Sequence, residues 1–178
     1  MFLGGLLDTN VAAVVRDLRR RLGSGVDLLG PDGLTPLSLL VGKAGESAVG
    51  VHVSLAGVVT ERLPPAGVRF AERFGKTQPG VEVEPSAVYA AQATEVVLDA
   101  IARSDGSRRS VLEQLFATRV KDGLLGSFGF DANGDTTESP VTIVRVAKGG
   151  AANTIQSVEG GAVERVVRPS PRLVAPES

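Results

Sequence analysis

Residues 128–139, FGFDANGDTTES, place Asp131, Asn133 and Asp135 at alternate positions, as a calcium loop places its oxygen ligands. The rest of the spacing does not complete such a site. An EF-hand loop takes Gly at its sixth position and a bidentate Glu at its twelfth. Counted from Asp131, those positions hold Thr136 and Thr142, while Gly134 arrives two residues early and Glu138 falls at the eighth. Asn133-Gly134 is instead the dipeptide of a two-residue hairpin turn, whose central residues both take positive φ. Leu125, Phe128 and Phe130 supply bulk for the arm before it, and residues 141–146, VTIVRV, read as the arm after it. The residues favour a turn over a metal site, and no cofactor is expected.

The remaining chemical candidates are weaker. FGKT at 74–77 holds the Gly-Lys-Thr of a phosphate loop, but the earlier glycine of that motif falls on Phe70. The stretch also follows a predicted helix, whereas a phosphate loop joins a strand to a helix. It reads as a charged helix end. GSGVDLLG from Gly23 has its third glycine too late for a dinucleotide fingerprint. The single histidine, His52, lies within an apolar run, and no nucleophile motif accompanies it, so it reads as a core or edge residue. Arg16, Arg19, Arg20 and Arg21 read as a solvated helix face. None of these points to an enzyme.

Composition narrows the classes further. The 178 residues suffice for one domain with a substantial core. Lys and Arg number 19 against 20 Asp and Glu, so no basic surplus recommends nucleic acid. Aromatics at 4% argue against stacking platforms for single strands. With no cysteine, disulfides and Cys-ligated zinc are excluded. No apolar run is long enough to span a bilayer as a helix. MFLGGLL lacks the basic start and long apolar core of a signal peptide, and reads as a core strand with sequence missing upstream of it.

The elements follow from periodicity and breakers. Residues 2–6 read as a strand. Asp8-Thr9-Asn10 suits a helix cap, and Val11, Val14, Val15, Leu18 and Leu22 recur at helical spacing until Gly23. Short strands are expected at 26–29 and 49–55, with a weaker helix over 36–44 between them. This β-α-β-α-β order predicts a parallel α/β sheet. After Pro64-Pro65, helices are expected over 66–74, over 85–103 with Pro85 in its first turn, and from Ser107 through Phe116. A last strand is expected at 162–167.

Four pieces in order carry a family resemblance: FLGGLLDTNVAAVVRDLRRRL, LLGPDGL, GVHVSLAG, and AAQATEVVLDAIARSDGSRRSVLEQLFATRVKDGLLGSFGFDANGD followed by PVTIVRVAKGG. Over most of residues 2–150 they resemble the C-terminal part of the type I periplasmic binding proteins. The subgroup is the branched-chain amino-acid substrate-binding proteins of ABC transporters. The resemblance implies a Rossmann-like or flavodoxin-like α/β lobe with additional helices and a C-terminal β-hairpin. It divides the chain into a second-lobe β-α-β-α-β segment at 1–56, helices and a first hairpin arm belonging to the first lobe at 57–138, returning strands at 139–168, and a disordered tail at 169–178.

It also implies non-catalytic binding of a small molecule, an amino acid or similar solute, and delivery to a membrane permease. In the amino-acid binders an acidic residue in a Gly-Pro-acid-Gly turn pairs with the ligand's ammonium. Here that turn supplies Asp32 and Gly33. Their aromatic just past Gly-Gly is replaced by Leu6, and their ligand-facing Tyr near the start of the long helix has Tyr89 nearby, with Ala91 in the aligned place. The first lobe is absent from this sequence, so the chain reads as a fragment or truncated relative whose partner is that missing lobe, with a homo-oligomer as the other way to cover the helices. The intact family member would be periplasmic or extracellular. A sensory domain that reuses the fold is the alternative, and a Rossmann-like nucleotide enzyme ranks below both.

Overall fold

The computed structural model describes residues 1–80, 83–148 and 160–169. The chain forms two compact units, Met1–Val59 with Pro140–Ser178, and Thr60–Ser139.

In the first unit an extended N-terminal segment leads through a 3-10 turn, Leu7–Thr9, into helix α1, Val11–Leu22. The expected side-chain cap does not form. Asn10 adopts a left-handed conformation with φ of 65°, and the Thr9 hydroxyl bonds back to the Leu6 carbonyl instead. Gly23, at φ of 71°, ends the helix and donates its N–H to the Arg19 carbonyl, a conformation that favours glycine. Strand β1, Leu29–Gly30, a 3-10 turn at Asp32–Leu34, helix α2, Leu37–Ala44, and strand β2, His52–Ala56, follow.

β1 and β2 pair in parallel, and Phe2 bridges in parallel to Leu29, so the β-α-β-α-β start holds in part. The N-terminal strand is shorter than the 2–6 expected from sequence. The last two strands depart from the parallel expectation. β5, Val141–Val146, runs antiparallel to β2, and β6, Gly161–Val167, antiparallel to β5, giving the order β1-β2-β5-β6. The cause is where the chain returns. Gly57, at the end of β2, donates its N–H to the Pro140 carbonyl at 2.8 Å, so the returning strand starts beside the point where β2 stops and can only run back along it.

One face of this sheet carries the core. Val51, Val53, Val144 and Val146 pack with Val11 and Val15 of α1, Leu37 and Leu40 of α2, and Leu3, Leu28 and Leu34. Burying each such aliphatic side chain is worth about 1.5–3 kcal/mol.

The second unit holds helix α3, Pro65–Thr77, helix α4, Pro85–Arg103, helix α5, Arg108–Phe116, and the hairpin of β3, Arg119–Gly123, with β4, Gly126–Gly129. Pro65 and Pro85 occupy first turns, where the missing N–H is harmless. Ser107 caps α5 by accepting from the Ser110 N–H at 3.2 Å. The Phe74–Thr77 stretch closes α3, with the Thr77 hydroxyl on the Phe74 carbonyl, so it joins no strand to a helix.

The hairpin differs from the one expected. β4 turns back on β3 through Leu124-Leu125 and does not pair with residues 141–146. Asn133-Gly134 lies in a second turn, closed by a Phe130–Thr136 bridge. There Gly134 has φ of 88°, while Asn133 stays at negative φ. The Asp131 N–H donates to the Asp135 carbonyl at 2.9 Å, and the Gly134 N–H to the Asp131 carbonyl at 3.2 Å. This is a longer loop with one left-handed glycine, not a two-residue turn with two left-handed residues. Of the tail expected over 169–178, everything from residue 170 on lies outside the described residues.

Candidate functional site

Two loops meet at the C-terminal ends of the parallel strands. The first is Gly4-Gly5-Leu6. It is held against β1 by the Leu3 N–H on the Leu29 carbonyl at 2.7 Å and the Leu29 N–H on the Met1 carbonyl at 2.9 Å. Beyond it, the Leu6 carbonyl accepts from both the N–H and the hydroxyl of Thr9, at 3.0 and 2.9 Å. The resulting turn points Leu6 outward, with 53% of its surface exposed.

The second loop is Pro31-Asp32-Gly33. The Leu34 N–H donates to the Pro31 carbonyl at 3.1 Å, and the Thr35 N–H and hydroxyl donate to the Asp32 carbonyl at 2.8 and 2.6 Å. With its backbone so fixed, Asp32 presents an exposed carboxylate that pairs with no cation among the described residues.

Gly33 brings the loops together. A Cβ on it would collide with the Leu6 side chain and sit 2.9 Å from the Gly5 carbonyl oxygen. Leu6, Asp32 and Gly33 are therefore neighbours in the first unit. Tyr89 stands on α4 in the second unit, half-buried.

The sequence reading missed a pair of residues beside this edge. Gly57, at φ of 84°, ends β2, and its carbonyl accepts the fully buried Thr142 hydroxyl at 2.7 Å. The two points where the chain leaves and re-enters the first unit are thereby fastened to each other. The available signal was Thr142 itself, a hydroxyl in line with the inward aliphatics Val144 and Val146.

The other chemical candidates resolve into structural contacts. His52 Nε2 lies 3.1 Å from Glu164 Oε2, across β5 on the sheet. The Ser54 hydroxyl donates to the Gly30 carbonyl at 3.3 Å. Asp131 Oδ1 accepts the N–H groups of Asn133 and Asp135 at 2.9 and 3.0 Å, so this carboxylate is engaged in shaping its own loop. Among the described residues, no helix is long and apolar enough to cross a membrane.

An open groove of about 490 Å³ lies away from the Leu6–Asp32–Gly33 edge. Its lining includes Arg16, Arg19, Arg20, Glu46, Val49 and Lys148. These residues come from the last turns of α1, the approach to β2 and the end of β5. They mark the end of the sheet opposite the two loops. Ligands of open α/β sheets sit beyond the carboxyl ends of the strands, so the groove is a separate feature from the candidate cleft.

No protein-family model and no curated protein matches the sequence. Solved structures do match the fold. The leucine-binding protein of Thermotoga maritima superposes with a TM-score of 0.68 at 25% identity, over 94% of this chain and 44% of that one. A branched-chain amino-acid transporter substrate-binding protein of Streptococcus pneumoniae, in complex with isoleucine, gives 0.63 at 18% identity, with the same two coverages. An ABC-transporter solute-binding protein of R. palustris, in complex with benzoate, gives 0.57 at 15% identity, over 89% of this chain and 40% of that one. The chain thus has the fold of part of a type I periplasmic binding protein, and spans less than half the length of the structures it matches.

Proposed function

We propose that this chain, carrying part of a type I periplasmic binding protein fold, is a ligand-binding module that contributes one side of a cleft for a small solute. The observation that carries this reading is the meeting of Leu6, Asp32 and Gly33 at the C-terminal ends of the parallel strands, where such sheets bind ligands. Asp32 is the group for a cationic end of the solute, such as the ammonium of an amino acid. Leu6, exposed above Gly33, offers an apolar contact where the amino-acid binders carry an aromatic. The permease of a transporter is the downstream partner of such a module. The similar structures bind isoleucine in one case and benzoate in another, so the fold alone does not choose the ligand.

Residues 57–138, in this reading, belong with a first lobe that completes the cleft. The test is isothermal titration with leucine, isoleucine, valine and benzoate in two arms. The 178-residue chain by itself shows no micromolar binding, because half a cleft desolvates and pairs few ligand groups. The chain joined to a complementing lobe binds one of these solutes saturably. If that solute is an amino acid, Asp32→Asn weakens binding by at least about tenfold, the loss of one charge-assisted contact. Micromolar binding by the chain alone, or no binding by the completed protein, overturns the reading.

A further inference from the structure

The basic groove at the far end of the sheet belongs to neither the cleft nor the core. We propose that it is a binding site for a phosphate group, carried by a small phosphate monoester or by a lipid headgroup. Arg16, Arg19, Arg20 and Lys148 line it against a single carboxylate, Glu46. The chain as a whole has a net charge of −1, so this concentration of cations does not follow from composition.

Nor is it simply one solvated helix face. Lys148 approaches from beyond the end of β5, and Arg145, on β5 itself, stands beside the lining near Gly50. The Nη2 atoms of Arg145 and Arg19 lie 3.4 and 3.9 Å from the position a Cβ would take on Gly50. Two guanidinium groups thus converge over one glycine, from a strand and from a helix. Like charges so placed repel, and an anion between them relieves the repulsion.

The arginines of α1 are already oriented. Arg16 Nη1 donates to the Lys43 carbonyl, and Arg19 Nη1 to the Val26 carbonyl at 2.6 Å. Each anchor uses one nitrogen of a guanidinium that carries five N–H donors, which leaves the other edge for a ligand and reduces the entropy lost on binding. Among the described residues, the side chains of Arg145 and Lys148 make no hydrogen bond or ion pair. Among the described residues, Arg20 is the one cation of the groove with an acidic partner, Asp17 at 2.8 Å.

Donors that approach from a helix and from a strand suit a tetrahedral group with three free oxygens better than a planar carboxylate. Ser24 and Ser47, also on the lining, add hydroxyl donors. Glu46 repels a bare polyphosphate and accepts from a hydroxyl, which favours a hydroxyl-bearing monoester.

The test titrates the chain with glycerol 3-phosphate and with inorganic phosphate at low salt. In parallel it sediments the chain with vesicles of phosphatidylglycerol or of phosphatidylcholine. The variant Arg145→Gln with Lys148→Gln removes two cations whose side chains make no hydrogen bond or ion pair among the described residues, and Arg109→Gln, on α5, is the control. Saturable binding of either soluble phosphate, weakened at least tenfold by the double variant and unchanged by the control, supports the site and a soluble ligand. Sedimentation with phosphatidylglycerol alone, lost in the double variant, supports the site and a headgroup ligand. The proposal is overturned if neither occurs or if binding survives the double variant.

Discussion

The Thr142 hydroxyl donates to the Gly57 carbonyl oxygen at 2.7 Å, joining residues 85 positions apart inside the core. Gly57 also donates its N–H to Pro140, so both of its backbone polar groups are satisfied by the returning segment. Thr142→Val keeps the shape and removes the donor, leaving a buried carbonyl unpaired. The expected loss is about 1–3 kcal/mol in chemical denaturation. Thr142→Ser keeps the bond and forfeits one methyl, for about 1 kcal/mol. Equal losses in the two variants would show that the hydrogen bond does not hold the strand.

Gly33→Ala tests the closure of the two loops. The added Cβ would sit 2.9 Å from the Gly5 carbonyl oxygen and against the Leu6 side chain. One loop must yield, and overpacking of this kind costs about 1–3 kcal/mol. Gly4→Ala, where a Cβ meets nothing within 4 Å, is expected to change stability by less than about 0.5 kcal/mol. Thermal denaturation of the two variants gives the comparison.

The helices were legible because their signals are local. Pro85 and Arg103 bound α4 where periodicity places them, Ser107 caps α5, and Gly23 stops α1. The sheet was not legible in the same way. Residues 141–146 read as the second arm of a hairpin, and it is the Gly57–Pro140 contact, between segments far apart in sequence, that sets them antiparallel beside β2. Asn133-Gly134 misled for a related reason. The dipeptide suits a two-residue turn, but Asp131 Oδ1 binds two backbone N–H groups and selects a longer loop in which Gly134 alone is left-handed. At the candidate site, the approach of Leu6 to Gly33 depends on the pairing of strands distant in sequence, which no local pattern contains.

The start of α5 provides a pH dependence. Hydrogen bonds from the Ser107 side chain and backbone hold the Asp105 carboxyl below its ordinary value of 3.8, with a smaller contribution from Ser110. The Ser107 N–H lies 2.8 Å from Asp105 Oδ1. A folded value below the unfolded one means that the carboxylate stabilises the fold fully above pH 3.8, and that this is lost as pH falls from there through the folded value. Asp105→Asn should therefore flatten the acid limb of stability against pH. Thermal melts across the carboxylate range check it, and an unchanged acid limb would remove the role assigned to Asp105.

Asp131 makes a prediction about metal. Its Oδ1 is committed to the N–H groups of Asn133 and Asp135, and the loop lacks the Gly and Glu that an EF-hand requires. Millimolar calcium should leave the melting temperature where magnesium leaves it. Asp131→Ala should destabilise the loop by about 1–2 kcal/mol in both salts. A rise of several degrees in calcium alone would mean that the loop is a site.

The last prediction concerns the second unit. Val96 is buried, at 6% exposure, and Leu115 is half-buried, yet their neighbours are not. Val97, Leu98 and Ile101 on α4, and Leu112 and Phe116 on α5, are each at least 39% exposed. Single exposed aliphatics need no explanation, but five large apolar side chains on two neighbouring helices leave more apolar surface in water than scattered exposure accounts for. Burying each is worth about 1.5–3 kcal/mol, enough in sum to drive association. The chain should therefore sediment as an oligomer, or bind a hydrophobic dye strongly at neutral pH. Ile101→Lys with Phe116→Lys should reduce both effects with little loss of stability, because neither side chain is buried. A chain that sediments as a sharp monomer, binds little dye and unfolds cooperatively would show that these helices need no covering partner. The assignment of residues 57–138 to a larger two-lobed protein would then fail with it.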